Sequence, residues 1–429
     1  MMLQLGSVPT LVVSSPQVAK EIYKTHDVIF SNRPLLTIPN IISYGSKDIV
    51  FSTYSERWRQ LKGLVVQNLL SSSRVKSFHQ VRKEEIDATI RKIGESCGRV
   101  FDLTELFHSQ SSNIICRVAF GRTSETKFTT IMRNLVSLLS VFTVGSYFTS
   151  LSWVDRLSGV IGRAEKASKE FDEFLEGIVE EHVSKRGGDH FSQSNNGQDL
   201  VDILLDIQGD KTTGFTLDKD TLKAVILDMF VGGTHTTSTT LEWIFSELIK
   251  HPRVMKKLLQ EVTKIAQGGE SVSEESLEKM PYLKAVVKES FRLHPAAPLL
   301  APRESTQDVK VMGYDIKART QVLVNAWAIG RDPSVWDEPD EFRPERFLNS
   351  SIDYNLFHYE WLPFGAGRRG CPGIQFGVLV VESILANLVY KFDLALPNGV
   401  RNEDLDMSEV LSLTVVRKFP LLVRATPRV

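Results

Sequence analysis

The residues best suited to chemistry lie close together near the C-terminal end, in Phe364-Gly-Ala-Gly-Arg-Arg-Gly-Cys371-Pro-Gly373. Gly365, Gly367 and Gly370 allow a tight loop whose backbone can approach a bulky partner. Cys371 directly precedes Pro372, and proline favours the first position of a helix. The run that follows, IQFGVLVVESILANLVYKF, is apolar and long enough to be a buried helix. The sulfur is therefore expected at a helix N-terminus, where free N–H groups and the dipole favour a thiolate. A thiolate so held is a metal ligand or a nucleophile, whereas a lone cysteine is otherwise a small buried apolar residue. Arg369 and the loop glycines favour the chemical reading.

The same loop also satisfies G-x-G-x-x-G, with Asp393 in the acidic position 23 residues beyond Gly370. A dinucleotide fold needs a strand before that motif and a βαβ succession after it. HYEWLP is a poor strand, and the 36 residues after Asp393 cannot complete the sheet. Two further spacings stand upstream of Cys371. Glu289-Ser-Phe-Arg292 puts opposite charges on one helix face, and Pro344-Glu-Arg346-Phe adds a second arginine. Such pairs are usually exposed and worth little, but two arginines around one carboxylate can form a satisfied buried network. Phe230-Val-Gly-Gly-Thr-His-Thr236-Thr237 places two glycines inside a helical segment, each costing about 1 kcal/mol relative to alanine. Either a flat ligand approaches there or the pair is a packing notch. The hydroxyls either open a groove or bond back to the helix.

Together these segments resemble the cytochrome P-450 family. Phe364, Gly367, Arg369, Cys371 and Gly373 meet every fixed position of its haem-binding loop, Phe-x-x-Gly-x-Arg-x-Cys-x-Gly. The resemblance implies a mainly α fold with a small β lobe, haem b lying between a long central helix and the Cys371 loop. Cys371 would be the axial iron ligand, and Glu289, Arg292 and Arg346 the structural network behind it. Thr236 would help to deliver protons, with His235 at the usually acidic position; a neutral imidazole can still pass protons near pH 7. The haem propionates would meet Trp58, Lys62, Arg303 and Arg369, with lysine at position 62 where the family usually has arginine. Lysine brings the charge without the bidentate fork. The substrate pocket would be lined by the loop around residues 35–50, by Val231 and Gly232, and by Ala297 and Leu300, with Gly232 and Gly233 admitting substrate and O2.

The resemblance, closest to the plant microsomal branch of specialised metabolism, covers essentially the whole chain. It implies one catalytic domain over 1–429 and insertion of one oxygen atom from O2 into a lipophilic small molecule. Electrons would come from NADPH through NADPH-cytochrome P-450 reductase at the cytosolic face of the endoplasmic reticulum membrane. Microsomal members start with a membrane-spanning helix and a hinge; this chain starts at the strand that follows them, so that anchor and hinge are absent from it and membrane association belongs to a longer form. His235 leaves a second reading open, a haem-thiolate dehydratase or isomerase, and the short N-terminus a third, a non-catalytic relative.

The elements that must position these residues follow from pattern. The 429 residues are 42% apolar and 24% charged, ordinary for a globular chain large enough to bury a sizeable core. With 51 basic against 52 acidic residues, no basic excess points to nucleic acid. Cys97, Cys116 and Cys371 form no Cys-x-x-Cys and no even set, which argues against a disulfide framework and against zinc. No basic leader with a cleavage site opens the chain, and its most apolar run, 135–148, is too short to span a bilayer. LQLGS and TLVVSS predict a hairpin turning at Val8-Pro9, followed by a helix from Pro16 to about Thr25. Helix is expected over 56–93, 103–118, with breaks over 126–182, over 217–250 and over 372–391. Strands are expected near 1–15, 299–328 and 393–429, and 187–198 reads as a mobile loop.

Overall fold

The computed structural model describes residues 1–186, 197–210, 212 and 214–428. The expected mobile loop lies, for residues 187–196, outside them. Asp218 starts the central helix, its carboxylate accepting the Thr221 N–H at 2.7 Å. The helix runs Lys219–Lys250 and stops at His251, since Pro252 follows. Thirty-two residues make a rod of about 48 Å. It is apolar on several sides rather than one, as a helix through the middle of a core must be. Leu222, Val225 and Ile226 pack into one apolar cluster, and Leu241, Ile244 and Leu248 into another. Helix Leu103–Phe120 lies along it. Gly233 allows that approach, because a Cβ there would fall 2.4 Å from Ile115 Cδ1.

Helices Pro281–Leu293 and Ile374–Lys391 pack on the second cluster. The β lobe holds a four-stranded sheet in the order Met2–Leu5, Val8–Val13, Gln321–Val324, Arg303–Glu304. Val8–Val13 and Gln321–Val324 run parallel, Thr10 facing Gln321, and the other two pairs are antiparallel. A second sheet joins Val100–Asp102, Leu422–Pro427 and Phe392–Ala395.

Several expected boundaries move. The first hairpin turns at Gly6-Ser7, with Gly6 at φ +62°, and Val8-Pro9 is already strand. The helix expected over 56–93 is three, Glu56–Asn68, Ser72–Ser77 and His79–Glu95, broken at 69–71, beside serines whose hydroxyls compete for backbone groups, and again at Phe78. The last helix starts at Ile374, and Pro372 lies in the turn before it. Val100–Asp102 was not expected as strand. Among the described residues, two stretches pass as membrane-length apolar helices by length and composition, against expectation. Ile374–Lys391 is mostly buried, and Thr126–Tyr147 is interrupted after Leu139.

Candidate functional site

The Cys371 loop is closed by its own backbone. Cys371 N–H donates to Phe364 O at 3.0 Å, and Gly370 N–H to Gly367 O at 3.0 Å. Gly367, at φ +66°, is obligatory: a Cβ there would fall 2.4 Å from Asp27 Oδ1 and 2.8 Å from Tyr23 O. Phe364 anchors the loop by edge-on contact with Phe291, ring centroids 5.0 Å apart. The loop presents Cys371 to a cavity of about 330 Å³ whose opposite wall is the central helix. Burial pushes the Cys371 thiol up, outweighing the Gly373 N–H and the charge of Lys62. A metal deprotonates a coordinating thiol outright, so the loop supplies geometry and leaves the charge to the ion.

One edge of the cavity is cationic. Arg369, Arg303 and Lys62 reach it as expected, and Arg33, which no motif flagged, joins them. Burial, then Arg33 and Arg303, push Arg369 down to about 8. Burial and Arg369 bring Lys62 to about 8, and burial and Arg303 bring Arg33 to about 9. Backbone carbonyls hold these groups in place. Arg369 donates to Ser31 O (2.8 Å), Ile49 O (3.0 Å) and Ser52 O (2.6 Å); Arg303 donates to Ala366 O (2.7 Å) and Lys62 to Arg368 O (2.5 Å). Trp58 lines the cavity too, but its indole N–H is taken by Ile49 O at 2.9 Å. It offers a face: the Arg369 guanidinium lies 3.9 Å from the ring centroid.

Across the cavity, Asp228, Gly232, Thr236 and Thr240 come up at every fourth position of the central helix. Gly232 has open space where a Cβ would stand. Thr236 Oγ1 donates to Gly232 O at 2.5 Å, the back-bonded arrangement. Ala297 and Leu300 line the remaining wall, with Ile115, Val118 and Met229. Three expected residues do not line it. Val231 turns into the neighbouring apolar cluster. Gly367, within the loop, faces Asp27 and Tyr23 instead. The His235 ring packs edge-on against His108, centroids 4.9 Å apart, and burial holds its pKa down at about 4, with the charges of His108 and Arg133 adding to the effect. Of the pocket loop 35–50, Ile49 and Val50 line the cavity while Leu35 is exposed.

Behind the loop, Glu289 is fully buried and fully satisfied. Its Oε1 accepts from Arg292 Nη2 (2.9 Å), Arg346 Nε (2.9 Å) and Arg343 N–H (2.7 Å), and its Oε2 from Arg292 Nε (2.7 Å). Arg292 Nη1 donates onward to Gly330 O and Pro339 O, each at 2.6 Å. Besides Arg33, sequence reasoning missed Asp27, which pairs with Arg368 at 2.7 Å, and Asp228. The four-residue stride back from Thr236 could have found Asp228; no comparable signal marks Asp27 or Arg33.

The donor set fits haem. A sulfur faces the cavity from a glycine loop, and four cations crowd one edge with too few carboxylates to match them. An iron porphyrin brings a metal for the first and two propionates for the second.

Known proteins agree with that chemistry. The family model for cytochrome P450 matches residues 1–421. A cytochrome P450 of Tanacetum parthenium, Tp4149, is 58% identical over 429 residues, covering all of this chain and 85% of that protein. A 3-beta-hydroxylase from the same plant is 53% identical, and psoralen synthase of Ammi majus 49%, each covering all of this chain and 86% of its own. A zebrafish cytochrome P450 solved with abiraterone superposes with a TM-score of 0.84 at 25% identity, covering 100% of this chain and 95% of that one. A match over nearly the full length, on a fold that brings this sulfur and these cations to one cavity, leaves one assignment: the chain belongs to the cytochrome P450 family of haem-containing, oxygen-incorporating oxidoreductases.

Proposed function

We propose that this chain is a single catalytic domain that inserts one atom of O2 into a lipophilic plant specialised metabolite, drawing electrons from NADPH through a separate reductase. The observation that carries this reading is one cavity bounded by Cys371 below, the Gly232–Thr236 turn above and four cations at one edge. Haem, held by the Cys371 thiolate, would supply O2 activation, the sulfur pushing electron density toward cleavage of the O–O bond. Arg369, Arg303, Lys62 and Arg33 would orient the porphyrin through its propionates. Trp58 would support Arg369 by its face rather than by its N–H. Gly232 leaves room beside the reacting centre, and Thr236, whose hydroxyl can leave Gly232 O, would hold and move a proton at Oγ1.

Glu289, Arg292 and Arg346 would stiffen the support behind the loop. Ile115, Val118, Met229, Ala297 and Leu300 make the wall aliphatic, which suits a compact hydrocarbon skeleton. Relatives of nearly equal similarity carry the names 3-beta-hydroxylase and psoralen synthase, and this proposal puts the choice of substrate on the wall residues. The dehydratase reading rested on His235, and that ring does not line the cavity. Residence at the endoplasmic reticulum membrane, facing the cytosol, belongs to the same proposal.

The test is a carbon-monoxide difference spectrum of the reduced protein. A thiolate-type Soret band is expected for the native chain and its loss for Cys371→Ser. A variant that keeps the thiolate signature would overturn the assignment.

A further inference from the structure

Two buried carboxyl groups, one in the cavity wall and one just behind it, are left unused by the reading above. Asp48 lies in the loop before the Trp58 helix and Asp228 on the central helix, and the two residues are only 0% and 9% exposed. Asp228 Oδ2 accepts the Ile49 N–H at 2.7 Å. Asp48 Oδ2 accepts the Phe51 N–H at 2.8 Å, and Asp48 O accepts the Ser52 hydroxyl at 2.6 Å. Asp228 grips the residue next to Asp48, which brings the two buried carboxyls into one another's electrostatic reach. Yet Asp48 Oδ1 is buried with no N–H or hydroxyl donor among the described residues. Two buried carboxylates that repel one another in this way do not both stay ionised. A proton on one removes the repulsion and provides the missing donor. Burial raises Asp48 too, with backbone N–H groups and Arg33 pulling against it, whereas burial together with Asp48 drives Asp228 well above the usual carboxylate range, so the proton belongs on Asp228.

What the pair fastens is the rack that holds the cations. Ile49 O accepts both the Trp58 indole N–H (2.9 Å) and Arg369 Nη1 (3.0 Å). Ser52 O accepts Arg369 Nη2 (2.6 Å), and Val50 O accepts Arg33 Nε (2.8 Å). Ile49 and Val50 are at the same time cavity wall.

We propose that Asp48 and Asp228 share one proton and act as positioning residues, fastening loop 48–52 to the central helix so that Arg369, Arg33 and Trp58 stand at the propionate edge. Neither carboxyl needs to touch haem or substrate; both act through Ile49 and its neighbours. The inference rests on the haem reading, and the two can fail separately. If the native chain takes up no haem, that reading falls; if it does and the carboxyl variants match it, only this one falls.

The experiment uses the haem-loaded full chain with Asp228→Asn and Asp228→Ala. Asparagine keeps an oxygen for the Ile49 N–H and offers an amide N–H to Asp48, mimicking the protonated acid; alanine leaves both partners unpaired. Three readouts are taken: the infrared band of a protonated carboxyl, the rate of haem transfer to apomyoglobin, and the dissociation constant for clotrimazole read at the Soret band. A deuterium-sensitive carboxylic-acid band is expected in the native-minus-Asp228→Asn difference spectrum, where the band of raised Glu382 cancels. Haem transfer and the clotrimazole constant should rise about tenfold in Asp228→Ala, the scale of a lost buried hydrogen-bond partner. Both should stay within about twofold in Asp228→Asn, since its bonds are kept. Should Asp228→Ala fail to fold, the infrared band and the asparagine variant still decide. The proposal is overturned if the difference band is missing, if asparagine is as harmful as alanine, or if alanine changes neither constant.

Discussion

At the scale of single residues, His235 shows how a position in a motif differs from a position in space. It stands one residue before Thr236, yet a helix turns successive side chains by about 100°, and that step carries the imidazole off the cavity face and onto His108. Its burial has a thermodynamic consequence. The folded-state pKa is about 4 against about 6.5 for the free side chain, so between those values the unfolded chain binds the extra proton. Stability from this group is therefore complete above pH 6.5 and is lost as pH falls toward 4. His108, also lowered by burial, acts in the same direction. His235→Phe keeps a ring against His108 and removes the titration. The drop in thermal midpoint between pH 7 and pH 5 should be smaller in this variant than in the native protein. Equal drops would mean that the ring is solvated and ordinary.

At the scale of elements, the two adjacent glycines of the central helix separate into different jobs. Gly233 is where helix Leu103–Phe120 comes closest, and a methyl group there meets Ile115. Gly232 faces open cavity. Alanine improves helix propensity by about 1 kcal/mol at an interior position. Gly232→Ala is thus expected to raise the thermal midpoint slightly while weakening binding of lipophilic probes, because its methyl enters the cavity. Gly233→Ala should lower the midpoint through overpacking, which costs about 1–3 kcal/mol of stability, and Ile115→Ala should relieve part of that loss. The opposite order would reverse the assignment. From sequence, two glycines in a helix are legible as a reason to look, but which one meets a neighbour depends on a helix more than a hundred residues away. The same limit governs the rest. The Cys371 loop, the Glu289 triad and the capped central helix are written in contiguous spacing and could be read. The hairpin was placed two residues late because Val8-Pro9 mimics a turn, while Gly6 takes the positive φ. Arg33, Asp27 and the Asp48–Asp228 pair stayed hidden, since each gains meaning only from a partner brought near by folding.

At the scale of the whole molecule, the distribution of apolar surface is uneven. Phe142, Phe148, Leu151, Trp153 and Leu157 are exposed in one short stretch, and the β lobe continues it. Ser7 N–H donates to Tyr147 O at 2.7 Å, and Phe148 lies against Gly6, which brings exposed Met1 and Met2 into the same region. The Thr37 N–H reaches Ser146 Oγ at 3.5 Å, so exposed Leu35 borders it as well. A contiguous apolar area of this kind marks an interaction site rather than ordinary surface, and aromatic residues with a wet edge suit a lipid–water interface. A formal net charge of −1 gives the chain no electrostatic pull toward anionic lipid. Binding through this corner should therefore follow buried apolar area. The chain is expected to float with neutral phosphatidylcholine vesicles, with little change when salt is raised from low to high. Replacing Phe142, Trp153 and Leu157 together by serine should release it while leaving the carbon-monoxide spectrum intact, because none of the three lines the haem cavity. Binding that needed anionic lipid and vanished in salt, or that survived the triple substitution, would place the contact on a different face.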